Sequence, residues 1–562
     1  MTTYYINNQS GASSNTNAGT SEGAPWRDFA PLHQRTLQPG DKILLARGAR
    51  WNQQLVINDS GTKDAWCELG AYGSGPRPKI IRNGDALERG IRLNNPSYWH
   101  VRDLEVANAG CGILIYYNTT GHEGLLLENI YVHDCYGIFV RDMAEGPARA
   151  QARLDRISIS SGIMITCEPL DIDPEDCIMR DIRLDRIEGA HNADSVSINP
   201  GGKSVCEQVR YPLQDIVLNH LYLHDDDAPN PGGIPDTLRF VRCKHVLLLN
   251  SLLDNECGRY TSSGTAAVFM GGVKDLNFTN SIFTRTPDTF SNDQCAIDFE
   301  ATTRQVKIRN CYFGQHAGPG VEFLDIWGET SYSENHEVSG NAFEGNGWGC
   351  HGGQAGSGGI HHYGGNFATG VIRDNLVYEP GRPLYHGEFI NFQLVNNLVA
   401  SQPLYNAMNG FSGVQGQSDW FYQTRSPHGP WSNLVRYSDE LHAWLSDEVP
   451  INAWVSRIEQ CTLLPDTTVA RTWRAEQAGV VAVRGRAVKS YAEGAPATVQ
   501  ITLNNQVIWG PQTISAGDWD GVETNLDGLT VGQNDLIRFE VSGAADNLMD
   551  AVSWAPTIGY IG

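Results

Sequence analysis

The chain contains no run of 18 apolar residues, so no segment reads as a membrane-crossing helix. Its opening, Met1-Thr2-Thr3-Tyr4-Tyr5, lacks the basic and apolar regions of a signal peptide. Basic runs are missing too, and the net charge is −23 at pH 7, which repels polyanions, so no nucleic acid is expected as partner. Only 19% of residues are charged, while 41% are hydrophobic and 60 are Gly; that profile is too apolar for disorder and suits a β-rich chain with many tight turns. The 12 Cys form no CxxC pair, which argues against a zinc site. Cys167 and Cys177 bracket a polar loop where a disulfide is conceivable, and Cys111, Cys135, Cys295 and Cys311 lie near apolar runs; small buried residues are the favoured reading.

What is present is a repeat. His100–Val106, Leu126–Val132, Ile178–Leu184, Val217–Leu223, Leu247–Leu253, Leu276–Phe283, Val306–Phe313, Val338–Phe343, Val371–Val377 and Leu394–Val399 share one pattern. Most are two short apolar stretches joined by Asp or Asn, at 103, 129, 181, 250, 280, 310, 374 and 396. Short strands of period two bury one face each and cannot do so alone, so the units must stack. Asn or Asp tolerates the left-handed conformation of a sharp bend, and stacked Asn side chains can form a hydrogen-bonded ladder. Helical periodicity between the strands is absent, which disfavours leucine-rich and helical repeats.

This pattern resembles the right-handed parallel β-helix superfamily of pectate lyases, polygalacturonases, alginate lyases and several glycosidases. The resemblance covers roughly residues 4 to 400. Tyr4-Tyr5-Ile6-Asn7, Gly19-Thr20, Pro25-Trp26-Arg27, Leu37–Ile43 and Ser60-Gly61 look like the opening segment of many such enzymes, which implies a capping helix and first coils over 1–90. It further implies a carbohydrate substrate and a secreted or periplasmic setting. The fold class is therefore all-β, a parallel β-helix over 1–405 followed by a smaller β-sandwich over 406–562. The second part rests on alternating stretches such as Val480–Arg486, Ala497–Leu503 and Leu536–Val541. It resembles C-terminal accessory modules of bacterial glycosidases, and it is expected to pack against the β-helix, whose last coil near Val399 would otherwise be open.

A β-helix interior is packed, so chemistry belongs on its outer face. In Ala296-Ile297-Asp298-Phe299-Glu300, Ile297 and Phe299 point inward, which turns Asp298 and Glu300 outward. The next coils place Glu322, then His361 and Tyr363, outward, and earlier ones Arg141 and Asn199. One column then runs Ser197, Phe269, Asp298, Glu322, His361. Asp298 and Glu322 would stand roughly 5 Å apart at their backbones, with Glu300 roughly 7 Å along the strand. Carboxyls this close raise one another's pKa, supplying a protonated acid beside an ionised partner, as glycoside hydrolysis requires. The expected catalytic set is Asp298 and Glu322 as acid and base or nucleophile, with Glu300 and His361 assisting. Tyr116, Tyr117, Phe269, Trp327, Trp348 and Tyr363 are candidates for stacking on sugar rings, beside Arg141 and Asn199 as polar contacts. The Gly-rich stretch 345–365, with His351, His361 and His362, reads as a mobile loop over the cleft.

No cofactor is expected. The best metal candidate is His224-Asp225-Asp226-Asp227, with Asp254 and Glu256, as a calcium site, although such runs are usually solvated. The polygalacturonase hallmarks are not assembled: Asp-Asp occurs only in that run, Asn192-Ala-Asp194 is a partial echo, and Gly-His-Gly is missing. The reading is a glycoside hydrolase. A polysaccharide lyase recruiting Arg141, Lys307 or His361, and a glycan-binding β-helix without catalysis, are the alternatives.

Overall fold

A computed structural model describes the chain except for residues 139–159, 169–175, 202–203, 207, 229–235, 329–330, 428, 440, 448–452, 463, 465–466 and 544–547. Its first four hundred residues wind into a right-handed parallel β-helix whose walls are a 23-stranded and an 11-stranded sheet, both parallel. The described residues contain no α-helix. The opening segment departs from expectation here: Thr3–Ile6 pairs with Lys42–Ala46, and a 3-10 turn at Leu32–Gln34 stands where a capping helix was expected. Trp26 and Phe29 close that end because both are fully buried, Trp26 stacked on Tyr4.

One coil shows the construction. Thr265–Gly271 lies in the 11-stranded sheet, Val273–Thr279 and Ile282–Thr284 lie in the other, and Asn280 makes the bend between the last two with φ +46°. Bend residues of successive coils hydrogen-bond as expected, Asn310 Nδ2 donating to Asn280 Oδ1 (2.5 Å), whereas one coil earlier the bend is His220 and Asn250 Nδ2 donates to the preceding Asn219 Oδ1 (2.9 Å). A parallel ladder joins Asn341 to Asn375 at 3.0 Å and Asn375 to Asn397 at 2.7 Å. Asp181 is an exception. It registers with Asp215, His245 and Asp275 at a different left-handed position early in the same wall, and Arg186 (φ +53°) makes the ladder bend of its coil. Inside, Phe283, Phe313 and Phe343 stack with centroids 5.1 and 5.0 Å apart, so neighbouring coils share one core. All 12 cysteines are free, and Cys167 and Cys177 are buried separately, so the conceivable disulfide does not form.

After residue 405 the sheets become antiparallel, as a β-sandwich requires, with a core of its own around Trp420, Trp473 and Trp554. This region lies along the bend ladder. Asn280 Nδ2 donates to Ser553 Oγ (2.7 Å), Arg373 pairs with Glu523 (2.8 Å), and His220 with Glu459 (3.0 Å). Ile282, Tyr312 and Ala342 share an apolar cluster with Met408, Ile458 and Ala555. The contact is lateral: much of the last coil stays open, with Ile390 74% and Val399 70% exposed.

Candidate active site

The 11-stranded sheet carries the column that side-chain alternation predicts. Strands Leu238–Val241, Thr265–Gly271, Asp293–Phe299, Val321–Asp325, Ile360–Gly364 and Tyr385–His386 pair in parallel, so Arg239, Phe269, Asp298, Glu322, His361 and His386 stand one above another. Ser197 pairs with Arg239 rather than with Phe269, so one coil more separates it from the carboxylates than the sequence column allowed. Ile297, Phe299, Val321 and Phe323 fill the interior behind them.

The column's acids are buried against the sheet. Glu322 Oε1 is met by His361 Nδ1 at 2.8 Å and by the Gln354 amide, which donates at 3.0 Å. The same Gln354 Nε2 donates to Asp293 Oδ1 at 2.7 Å, so one amide ties two carboxyls together. Glu322 Oε2 and Asp298 Oδ1 are buried with no hydrogen-bond partner among the described residues, an expensive state unless a proton or a ligand hydroxyl completes them. Burial, then the neighbouring Glu300, Asp293 and Glu322, pushes the Asp298 carboxyl well above its ordinary range. Burial and Glu322 push Asp293 up to about 9, and burial lifts Glu300 to about 7 against the indole N–H of Trp327, which favours its charged form. Glu300 is only half-buried, so this cluster offers solvent a carboxyl that holds its proton near neutral pH.

Upstream in the column, Arg239 lies between two buried acids, Asp236 (2.8 Å) and Asp194 (3.4 Å), with its guanidinium over the Phe269 ring at 5.2 Å. Burial raises Asp236 to about 6 and Asp194 to about 8, in each case against the pull of Arg239.

The other expected contacts divide. Trp327 (42% exposed) and Tyr363 (47%) present their rings beside Glu300 and His361. Trp348 is 54% exposed, its indole N–H held by the Gln315 carbonyl at 3.1 Å. Asn199 follows the strand Val196–Ile198, three coils before that of Asp298 and roughly 14 Å away. Tyr116 is five coils away, roughly 24 Å, engaged with Glu168 and Arg92, and is not brought to the acids. Tyr117 is a fully buried core residue, so it stacks on no sugar. Arg141 lies outside the described residues. His361 and His362 sit in a strand, with His362 turned inward onto Asp325 at 2.8 Å; the stretch 345–359 before it is loop with a 3-10 turn at Gly352–Gln354, and Gln354 pins it to the acids. The acidic run also splits up. Asp226 accepts from the Asn192 N–H at 2.9 Å and Glu256 from the Thr237 hydroxyl, Asp225 pairs with His224, and no group of three that could hold a metal ion occurs among the described residues.

Sequence reasoning missed Asp293, Gln354 and Arg239. Asp293 stands at an odd spacing from Asp298, which strict alternation turns inward. A register shift opposite Thr265 and Ala266, and φ of +62° and +51° at Asp293 and Gln294, undo that alternation. Gly264 makes room, since a Cβ there would stand 1.7 Å from Asp293 Oδ2.

The chain is thus a right-handed parallel β-helix with a C-terminal antiparallel module and a stacked acid cluster on the outer face of the helix. Compared with known proteins, it is 28% identical over 205 aligned positions to a lacto-N-biosidase of Bifidobacterium longum subsp. longum, covering 26% of this chain and 13% of that protein. It superposes on the crystal structure of GH136 lacto-N-biosidase from Eubacterium ramulus with a TM-score of 0.51 at 19% identity, over 71% of this chain and 67% of that one. Pectate lyase Pel9A superposes less well, with a TM-score of 0.37 at 11% identity, over 71% of this chain and 79% of that one. No family model matches the chain.

Proposed function

We propose that the chain is a glycoside hydrolase that cleaves O-glycosidic bonds of a neutral oligosaccharide, with a lacto-N-bioside unit as the first substrate to test. The observation that carries this reading is the cluster Asp293, Asp298, Glu300 and Glu322, in which burial and the neighbouring carboxyls raise Asp293, Asp298 and Glu300 above their ordinary range. Glu300, half-exposed and protonated near neutral pH, is the general acid that hands its proton to the leaving oxygen. Glu322, held at one oxygen by His361 and Gln354, is the partner carboxylate, acting as base or nucleophile. Asp298 keeps its proton and is a hydrogen-bond donor to a sugar hydroxyl, while His361 is a positioning residue for Glu322. Trp327 and Tyr363 stack on the sugar. This shifts Glu300 from assistant to acid, because it alone of the two outward residues of its strand reaches solvent. The two lacto-N-biosidases support the choice of sugar, and as a glycosidase of this fold the protein would work outside the cytoplasm.

The test is turnover of p-nitrophenyl β-lacto-N-bioside, with mass analysis of the products. Release of the disaccharide with one water added, reduced about 10²-fold or more in Glu300→Gln and in Glu322→Gln with unchanged folding, supports the reading. An unsaturated product means a lyase, and near-normal turnover in both variants overturns the assignment. The lyase reading wants a free cation beside the acids, whereas Arg239 is already shared by Asp194 and Asp236.

A further inference from the structure

A groove of about 530 Å³ lies on the other wall of the β-helix, between the outer face of the 23-stranded sheet and the loop Gly517–Asp520 of the C-terminal module. Its floor is a second register row. Val217, Leu247 and Asn277 stand on three successive coils, a strip roughly 10 Å long. Trp519 forms the opposite side, half-buried. Its loop is held from several directions: the Asp518 carboxylate accepts from Gly521 N–H (2.8 Å), the Asp520 carbonyl accepts from Arg486 (2.6 Å), and the Asp520 carboxylate accepts from Arg309 of the β-helix (2.9 Å). The ring is therefore positioned before any ligand arrives, which lowers the cost of binding.

Two polar atoms on this groove are buried and unpartnered among the described residues: the donor Trp519 Nε1 and the acceptor Asn277 Oδ1. A buried donor and a buried acceptor left open each cost free energy, and the hydroxyls of a sugar, which donate and accept, supply partners of both kinds. An aromatic ring over an aliphatic floor suits the apolar face of a pyranose. Asp181, Asp215, Asp275, Asp518 and Asp520 outnumber Arg183 and His245 around it, so an anionic sugar is repelled. We propose that this groove is a second carbohydrate-binding site, built jointly by the β-helix and the module, for a neutral oligosaccharide. It goes beyond the catalytic reading and does not depend on it.

The experiment is titration calorimetry of the full chain carrying Glu322→Gln with cellotetraose, chitotetraose and lacto-N-tetraose, and with tetragalacturonate as the charged control. A neutral tetrasaccharide is expected to bind with a change in tryptophan emission, and adding Trp519→Ala should weaken that event at least tenfold. In the unmodified background Trp519→Ala should leave turnover of a small aryl glycoside unchanged. Asn277→Ala and Trp519→Phe guard against a variant that fails to fold, and each should weaken binding several-fold at an unaltered melting temperature. Isotherms that do not respond to any of the three substitutions overturn the proposal, as does tighter binding of tetragalacturonate or no binding of any neutral tetrasaccharide. Because the readout is binding, a protein inactive on every glycan still tests the groove.

Discussion

At Gly264 a single hydrogen atom in place of a methyl group decides whether the acid cluster can assemble. The residue has φ +93° and faces the Asp293 carboxylate at a distance no Cβ tolerates. Gly264→Ala should cost on the order of 2 kcal/mol or more and lower turnover together with stability, read by urea denaturation and initial rates. The cluster also sets a pH dependence. Unfolded carboxyls ionise near pH 4. In the folded chain Asp236 releases its proton at about 6, Glu300 at about 7, Asp194 at about 8 and Asp293 at about 9. Between these values the native state holds protons that the unfolded chain has lost, so the stability contributed by these groups falls as pH rises from about 4 towards 9. Asp293→Asn mimics the protonated acid. It should match the parent at about pH 4 and below and exceed it by a growing margin as pH rises towards 9, a divergence visible in melting temperatures measured across pH. Activity should fall on the alkaline side as Glu300 deprotonates near pH 7, and loss of that limb in Glu300→Gln residual activity checks the assignment.

At the scale of the strand, the sequence is most readable where one rule governs. Ile297 and Phe299 alternate with Asp298, and that alone puts Asp298, Glu322 and His361 in one column because the coils repeat in register. The bend asparagines are equally legible, since only a few residue types accept φ near +50°. Legibility ends where a second rule intervenes. Asp293 and Gln354 meet through a register shift and a loop, neither of which has a period. Arg239 escapes notice because its strand is only four residues long, Leu238–Val241, and because Asp194, 45 residues away, joins the nearby Asp236 in balancing its charge. Asp181 misleads in the opposite way, since two left-handed positions in the same wall accept the same residue types. The ladder makes its own prediction. Asn280 is fully buried and donates to Ser553 and Arg486 of the module, so Asn280→Ala should cost about 2 kcal/mol through the carbonyls and hydroxyl left unpaired, measurable by denaturant unfolding.

Across the whole molecule, the C-terminal module and the β-helix share apolar surface at Ile282, Tyr312 and Ala342 as well as ion pairs at Arg309 and Arg373. A fragment ending at residue 405 should therefore melt at a lower temperature than the full chain and self-associate, checked by calorimetry and size-exclusion chromatography; an equally heat-resistant monomer would show that the contact contributes nothing. The module is stitched in a particular order. Tyr405–Asn406, the first strand after the β-helix, pairs antiparallel with Thr557–Tyr560, which also pairs with Gly479–Arg484. Some 150 residues separate the two partners of that first pairing, a long loop to close. In temporal terms, the β-helix can grow coil by coil on local contacts as synthesis proceeds, while the module must wait for residues 557–560 before its sheet completes. During that interval the flank along Asn250, Asn280 and Asn310, which the module later covers, stands bare.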